Sequence, residues 1–181
     1  IDCSERLTSI KNIPHDWQVH EDYSKRIQSA FANCLGHYIR IKTISPEGFE
    51  KKAVDYLKYI FDELGFQNKV VTVKDLTGIN DKRYNLIATL PANNKKKFKW
   101  NQKSETKAII LLNHMDVVGT QPDQWEFPDL DFSGRVQADD SGKLYIWGRG
   151  ALDMKGIGVV QLFNMWLARE LNIPRVRDLH F

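Results

Sequence analysis

The feature that most constrains this chain is an apolar run, Ala108-Ile109-Ile110-Leu111-Leu112, that leads into Asn113-His114-Met115-Asp116. Such a run reads as a buried strand of a parallel sheet. It delivers an imidazole and a carboxylate, two residues apart, to the strand's C-terminal end, where open α/β sheets keep their ligands. Further on, Gly148-Arg149-Gly150-Ala151-Leu152-Asp153-Met154-Lys155-Gly156 reads as a glycine-rich turn that carries another carboxylate into the start of a helix. One imidazole and two carboxylates, brought in by two loops, point to a metal site, and these donor types suit zinc.

Blander readings compete with this one. A His-x-Asp at a strand end also serves as a capped or solvated turn. A glycine turn before a helix also serves as a phosphate loop, because helix N-termini bind anions. The letters oppose phosphate. Counted from Gly148, Asp153 stands where a P-loop needs its second glycine and where a dinucleotide fingerprint needs its third. A fixed negative charge there repels a pyrophosphate and attracts a cation.

The rest of the chain alternates periods. Residues 1–22 mix Pro14, His15, His20 and charges without a clear repeat, and are expected to form an arm on the surface. Over 23–41 the apolar positions Ile27, Ala30, Phe31, Leu35, Tyr38 and Ile39 recur at helical spacing. Ser45-Pro46-Glu47 breaks that helix and starts another over 49–64, with Val54, Leu57, Ile60, Phe61 and Leu64 on one face and Gly65 at its end. Strands are expected at 70–73, 84–90, 107–113 and 144–147, a helix at about 154–171, and a last strand from Asp178. Helices alternating with strands make an α/β fold.

With 181 residues, 42% hydrophobic and 27% charged, the chain is long enough for one domain with a sizeable core. The net charge of +3 is concentrated in Lys95-Lys96-Lys97, Lys99 and Lys103, a solvated loop between two expected strands. Lys107, Lys143 and Lys155 add no stripe, so no nucleic-acid partner and no charged membrane patch are expected. No stretch approaches the ~18 apolar residues of a membrane span. Cys3 and Cys34 form no Cys-x-x-Cys pair, and a disulfide between them stays open. The chain starts at Ile1, which suits a removed export signal or a trimmed start; a periplasmic or secreted protein is the reading, with the cytoplasm as the alternative. His15, His20 and His37 lack carboxylates at ligand spacing, and His180 can face either side of its strand. Trp125 is expected to anchor a loop beside the site. Arg149 is expected to pair with a carboxylate and hold the glycine turn, and Lys155 to support rather than catalyse.

His114-Met115-Asp116-Val117-Val118, Trp125, Phe132-Ser133-Gly134 and the run from Ile146-Trp147 through Gly156 together resemble the co-catalytic zinc metallopeptidases of the aminoacylase/carboxypeptidase type. The Ile-Trp-Gly-Arg-Gly-Ala wording leans toward the carboxypeptidase S-like branch. The resemblance reaches back less tightly through Ile44-Ser45, so it covers roughly residues 23–181. Gly119 departs from it, standing where the family usually has proline; the loop after Asp116 relaxes but keeps its ligands.

The resemblance implies a three-layer α/β catalytic domain with a mostly parallel central sheet flanked by helices, here truncated. Residues 1–22 are then an N-terminal arm and 23–181 the N-terminal portion of the domain, without its lid/dimerisation domain or its C-terminal part. It implies two zinc ions per complete site, with cobalt or manganese as substitutes. His114 is similar to a ligand of one zinc, Asp153 to the carboxylate that bridges both, and Asp116 to the catalytic acid that holds the histidine from behind. Such metals activate a shared water and polarise the scissile carbonyl. A Glu-Glu pair, holding the general base and a further ligand, is implied beyond the Phe181 strand.

The implied function is metal-dependent hydrolysis of amide bonds, by a carboxypeptidase-like peptidase or an N-acyl amino acid deacylase. The partner is then a peptide or N-acyl amino acid, the full-length protein a homodimer, and this piece alone catalytically silent. The alternative is a non-catalytic member that binds peptide or a partner subunit. Three geometric expectations follow. His114 and Asp153 should stand roughly 3–4 Å apart, since zinc bonds to nitrogen and oxygen are about 2.0–2.2 Å. Asp116 should bond the far imidazole nitrogen. The Asp153–Met154 peptide bond should be cis.

Overall fold

The structure is a computed structural model that describes residues 2–46, 48, 50–74, 76, 78, 82–94, 107–125 and 129–181. The lysine-rich segment from Lys95 to Lys103 and the residues after Trp125, Glu126-Phe127-Pro128, lie outside the described residues.

Four helices carry the core. Helix α1 spans Cys3–Ser9, α2 Glu21–Arg40, α3 Glu50–Glu63 and α4 Lys155–Glu170. In α2 five of the six expected positions, Ile27, Ala30, Leu35, Tyr38 and Ile39, are buried, while Phe31 is half-buried and Cys34 joins the buried face. Val54, Leu57, Ile60 and Phe61 of α3, which lies against the sheet, are buried as well. Helix α4 is apolar on more than one face and buries Val159, Leu162, Phe163, Met165 and Trp166 while packing along α2.

Residues 2–10 are not a surface arm, whereas 11–22 lie mostly exposed as expected. Asp2 Oδ1 accepts the backbone N–H of Ser4 at 2.7 Å, and Glu5 Oε2 accepts that of Asp2 at 3.2 Å, so α1 opens with a capping box. Cys3 and Leu7 are fully buried, and a disulfide joins Cys3 to Cys34 of α2 with their Cα atoms 4.9 Å apart. The pairing that the sequence left open is thereby made.

Strands β1 (Gln67–Lys74), β2 (Lys82–Leu90), β6 (Leu179–His180) and β3 (Ile109–Ile110) form one sheet in the order β1-β2-β6-β3. The α/β class holds, but the sheet is mixed rather than mostly parallel. The β1–β2 and β2–β6 ladders are antiparallel, and only β3–β6 is parallel. The physical reason lies in the connections. Few residues separate β1 from β2, and a parallel crossover needs a dozen or more; the path from β3 to β6 includes α4 and supplies one. In β2 the residues Leu86, Ala88 and Leu90 alternate inward, as a sheet with one covered face requires.

The run at 108–112 departs further from expectation. Its strand is two residues long, and Ile110 is 70% and Leu112 81% exposed. As the edge strand of the described sheet, β3 has a neighbour on one side only. A separate hairpin, β4 (Val136–Ala138) with β5 (Leu144–Ile146), precedes the glycine turn. No helix among the described residues is long and apolar enough to cross a membrane.

Candidate metal centre

Two loops meet at the site. The first leaves β3 and carries His114 and Asp116. It is fastened to the segment after α2: Val117 N donates to Thr43 O at 2.9 Å, Ser45 N to Val117 O at 2.9 Å, and Thr43 Oγ1 to Met115 O at 2.5 Å. The second loop is the glycine turn before α4. Gly148 and Gly150 have φ of 145° and 85°, conformations that a side chain disfavours. A Cβ on Gly148 would stand 2.4 Å from Ile39 Cγ2, and one on Gly150 2.7 Å from Val117 Cγ1. Glycine is therefore what lets the turn press against both α2 and the first loop.

This packing brings His114 Nε2 to 3.3 Å from Asp153 Oδ1. On the far side of the ring, Nδ1 is 3.0 Å from the Asp116 carbonyl oxygen and 3.2 Å from Asp116 Oδ1. Both acceptors call for a proton on Nδ1. Nε2 and the Asp153 carboxylate stand at hydrogen-bond distance, and the same facing pair can take a metal ion between them. The donor set and the spacing fit zinc, for which two ligand atoms stand roughly 3–4 Å apart. Among the described residues no group of three His, Cys, Asp or Glu side chains gathers to hold a metal, so the arrangement offers a pair and its backing carboxylate. The Asp153–Met154 peptide bond is cis.

The site opens to solvent. The Asp153 side chain is 86% exposed, and a cavity of about 300 Å³ is lined by His114, Asp116, Trp125, Arg149 and Asp153 among others. Trp125 stands beside it as expected. Arg149 does not pair with a carboxylate among the described residues; its guanidinium lies 6.0 Å from the Trp125 ring centroid instead, and its backbone N–H donates to Asp131 O at 2.6 Å.

Lys155 is a support, and a more deeply seated one than the sequence suggested. It is fully buried, and its Nζ donates to Tyr38 O at 3.1 Å and Ile41 O at 2.6 Å. Burial pulls its pKa down from 10.5 to about 8. The other histidines stay apart from the site: His20 pairs with Asp16 at 3.2 Å, His37 packs edge-on to Tyr56, and His180 Nδ1 is 2.9 Å from Thr89 Oγ1. Sequence reasoning missed Thr43, a fully buried polar residue whose only local signal is its place just after α2. It also missed the contact of Gly36 with Gly134, where an added Cβ on Gly134 would stand 2.1 Å from Gly36 O.

Known proteins share this arrangement of sequence. Residues 110–181 match the model of Peptidase family M20/M25/M40. Aminoacylase-1 of Sus scrofa is 31% identical over 126 residues, covering 69% of this chain and 26% of the relative. A probable carboxypeptidase S-like 2 of Dictyostelium discoideum is 44% identical over 61 residues, 33% of this chain and 10% of that protein. In fold, the chain is similar to human carnosine dipeptidase 1, with a TM-score of 0.56 and 20% identity over 88% of this chain and 32% of the other. The chain thus spans about a quarter of the length of the aminoacylase it matches. Residues 110–181, which carry both halves of the site, are thus similar to Peptidase family M20/M25/M40.

Proposed function

We propose that the protein is a zinc-dependent hydrolase of amide bonds, a carboxypeptidase-like peptidase or an N-acyl amino acid deacylase. His114 and Asp153 are its metal ligands here, and Asp116 holds His114 from behind. The observation that carries this reading is the facing of His114 Nε2 and Asp153 Oδ1 at 3.3 Å, with the far nitrogen already turned to Asp116. A bound zinc would lower the pKa of its water toward neutrality and polarise the scissile carbonyl.

The chain's own residues do the rest. Asp116 fixes the tautomer and the ring plane of His114, as partners behind a ligating imidazole do. Trp125 and Arg149 wall one side of the cavity, and the exposed side of Asp153 is left for substrate. Asp116 sits behind the imidazole, so it is a positioning group and not the base. With no third His, Cys, Asp or Glu beside it among the described residues, this pair by itself should hold zinc weakly and turn over nothing. The Cys3–Cys34 bond supports an oxidising compartment, periplasmic or extracellular.

The test is hydrolysis of a panel of N-acyl amino acids and dipeptides by the protein at its natural length, with and without a chelator. Turnover lost to the chelator, restored by zinc and absent in His114→Ala supports the reading. Turnover that ignores both the chelator and His114→Ala contradicts it.

A further inference from the structure

Both loops of the site hang from one anchor, the C-terminal end of α2 and the residues just after it. The His114 loop reaches that anchor through Thr43, whose hydroxyl and carbonyl bond the backbone at Met115 and Val117. The Asp153 turn reaches it through Lys155. The lysine backbone N–H donates to Gly150 O at 2.9 Å, and a Cβ on Gly150 would stand only 3.3 Å from Lys155 Cδ. The Lys155 stem therefore lies directly against the turn, and its ammonium ends on Tyr38 O and Ile41 O, 5.0 Å from the Tyr38 ring centroid.

Filling space does not account for a lysine here. A fully buried ammonium loses its hydration, and a methionine of similar length would fill the same volume without that loss. What the ammonium adds is direction. Carbonyls at a helix C-terminus carry partial negative charge and attract a cation, so the side chain is drawn to one place and the turn with it.

We infer that Lys155 is a positioning residue for the site, holding the Asp153 turn on the end of α2 so that Asp153 Oδ1 meets His114 Nε2. The inference rests on the zinc reading above. Thr43 holds the opposite loop to the same anchor, so the spacing of the two ligands is set by a segment that touches neither. Partners one step behind a metal ligand change metal affinity by about 10–100-fold when removed.

The experiment adds zinc chloride to the wild-type chain and to variants, follows the ring nitrogen signals of His114 by NMR, and records thermal unfolding of the same samples. In the wild type the His114 signals move with zinc, and in Asp153→Asn they do not. Lys155→Met should need about 10–100-fold more zinc for the same movement. If Lys155→Met does not fold, Lys155→Gln, which keeps a donating NH2 group without the charge, is judged by the same criterion. A folded Lys155 variant whose zinc dependence equals the wild type overturns the inference, even if its unfolding midpoint falls, and leaves the zinc reading standing. A wild-type chain whose His114 signals ignore zinc overturns both.

Discussion

The two loops that bring His114 and Asp153 together are supported in opposite ways. His114 follows an edge strand whose Ile110 and Leu112 are mostly exposed, and its loop is held by backbone bonds to Thr43 and Ser45. Asp153 stands just ahead of a helix whose first residue, Lys155, is fully buried. Its turn is packed so tightly that a Cβ on Gly156 would stand 2.2 Å from Ala151 O. One ligand inherits its place from the helical core; the other is tied to that core across an open strand. The same contrast runs through the whole molecule, between the body of α2, α3 and α4 and the edge at β3.

Mutations should expose this difference, most strongly in the body. Phe61→Ala removes a fully buried ring that packs against Phe66 and Phe181 and should cost about 3–5 kcal/mol in chemical denaturation. Leu112→Ala, at an 81% exposed position, should stay within about 0.5 kcal/mol. Comparable losses at the two positions would mean that β3 is covered in solution and would erase the contrast.

Next in size is the tether between α1 and α2. Replacing Cys3 and Cys34 together by serine should cost roughly 2–4 kcal/mol, read as a lower unfolding midpoint, with zinc response at His114 unchanged. Thr43→Val should cost only about 1 kcal/mol, the worth of one hydrogen bond. It should nevertheless loosen the His114 loop selectively, seen as faster amide exchange at Val117 than at Lys155.

A further effect is one of pH. The folded chain holds the Lys155 proton less tightly than the unfolded chain does, because burial pulls that pKa from 10.5 to about 8. Stability should therefore be lower below pH 8 and climb as pH rises from 8 toward 10. Burial also pushes the pKa of Tyr38 and Tyr56 upward, so above pH 10 the unfolded chain ionises first and the slope should reverse. In Lys155→Met the rise between pH 8 and 10 should flatten; a rise that persists would place its source elsewhere.

The Asp153 half was legible in the sequence because its glycines and its carboxylate are local requirements of one turn. The helical stripes of α2 and α3 were legible for the same reason, since periodicity along one segment decides which face is buried. The run at 108–112 misled because apolar letters state a preference for cover without saying whether a neighbour supplies it. Helix α1 went unread although Asp2 and Glu5 stand at capping-box spacing; a seven-residue helix between polar residues gives too little period to notice. Cysteine spacing alone does not fix a pairing, so the Cys3–Cys34 tether had to wait for the fold. Lys155 could be placed as a support from its position, but the carbonyls it bonds lie more than a hundred residues earlier.

The most direct measurement is a crystal of this chain soaked in zinc chloride, with data collected at the zinc absorption edge. The account predicts an anomalous peak between His114 Nε2 and the Asp153 carboxylate, about 2.0–2.2 Å from each, with Asp116 still on Nδ1. Zinc found only at other side chains, with His114 and Asp153 turned apart, would contradict it.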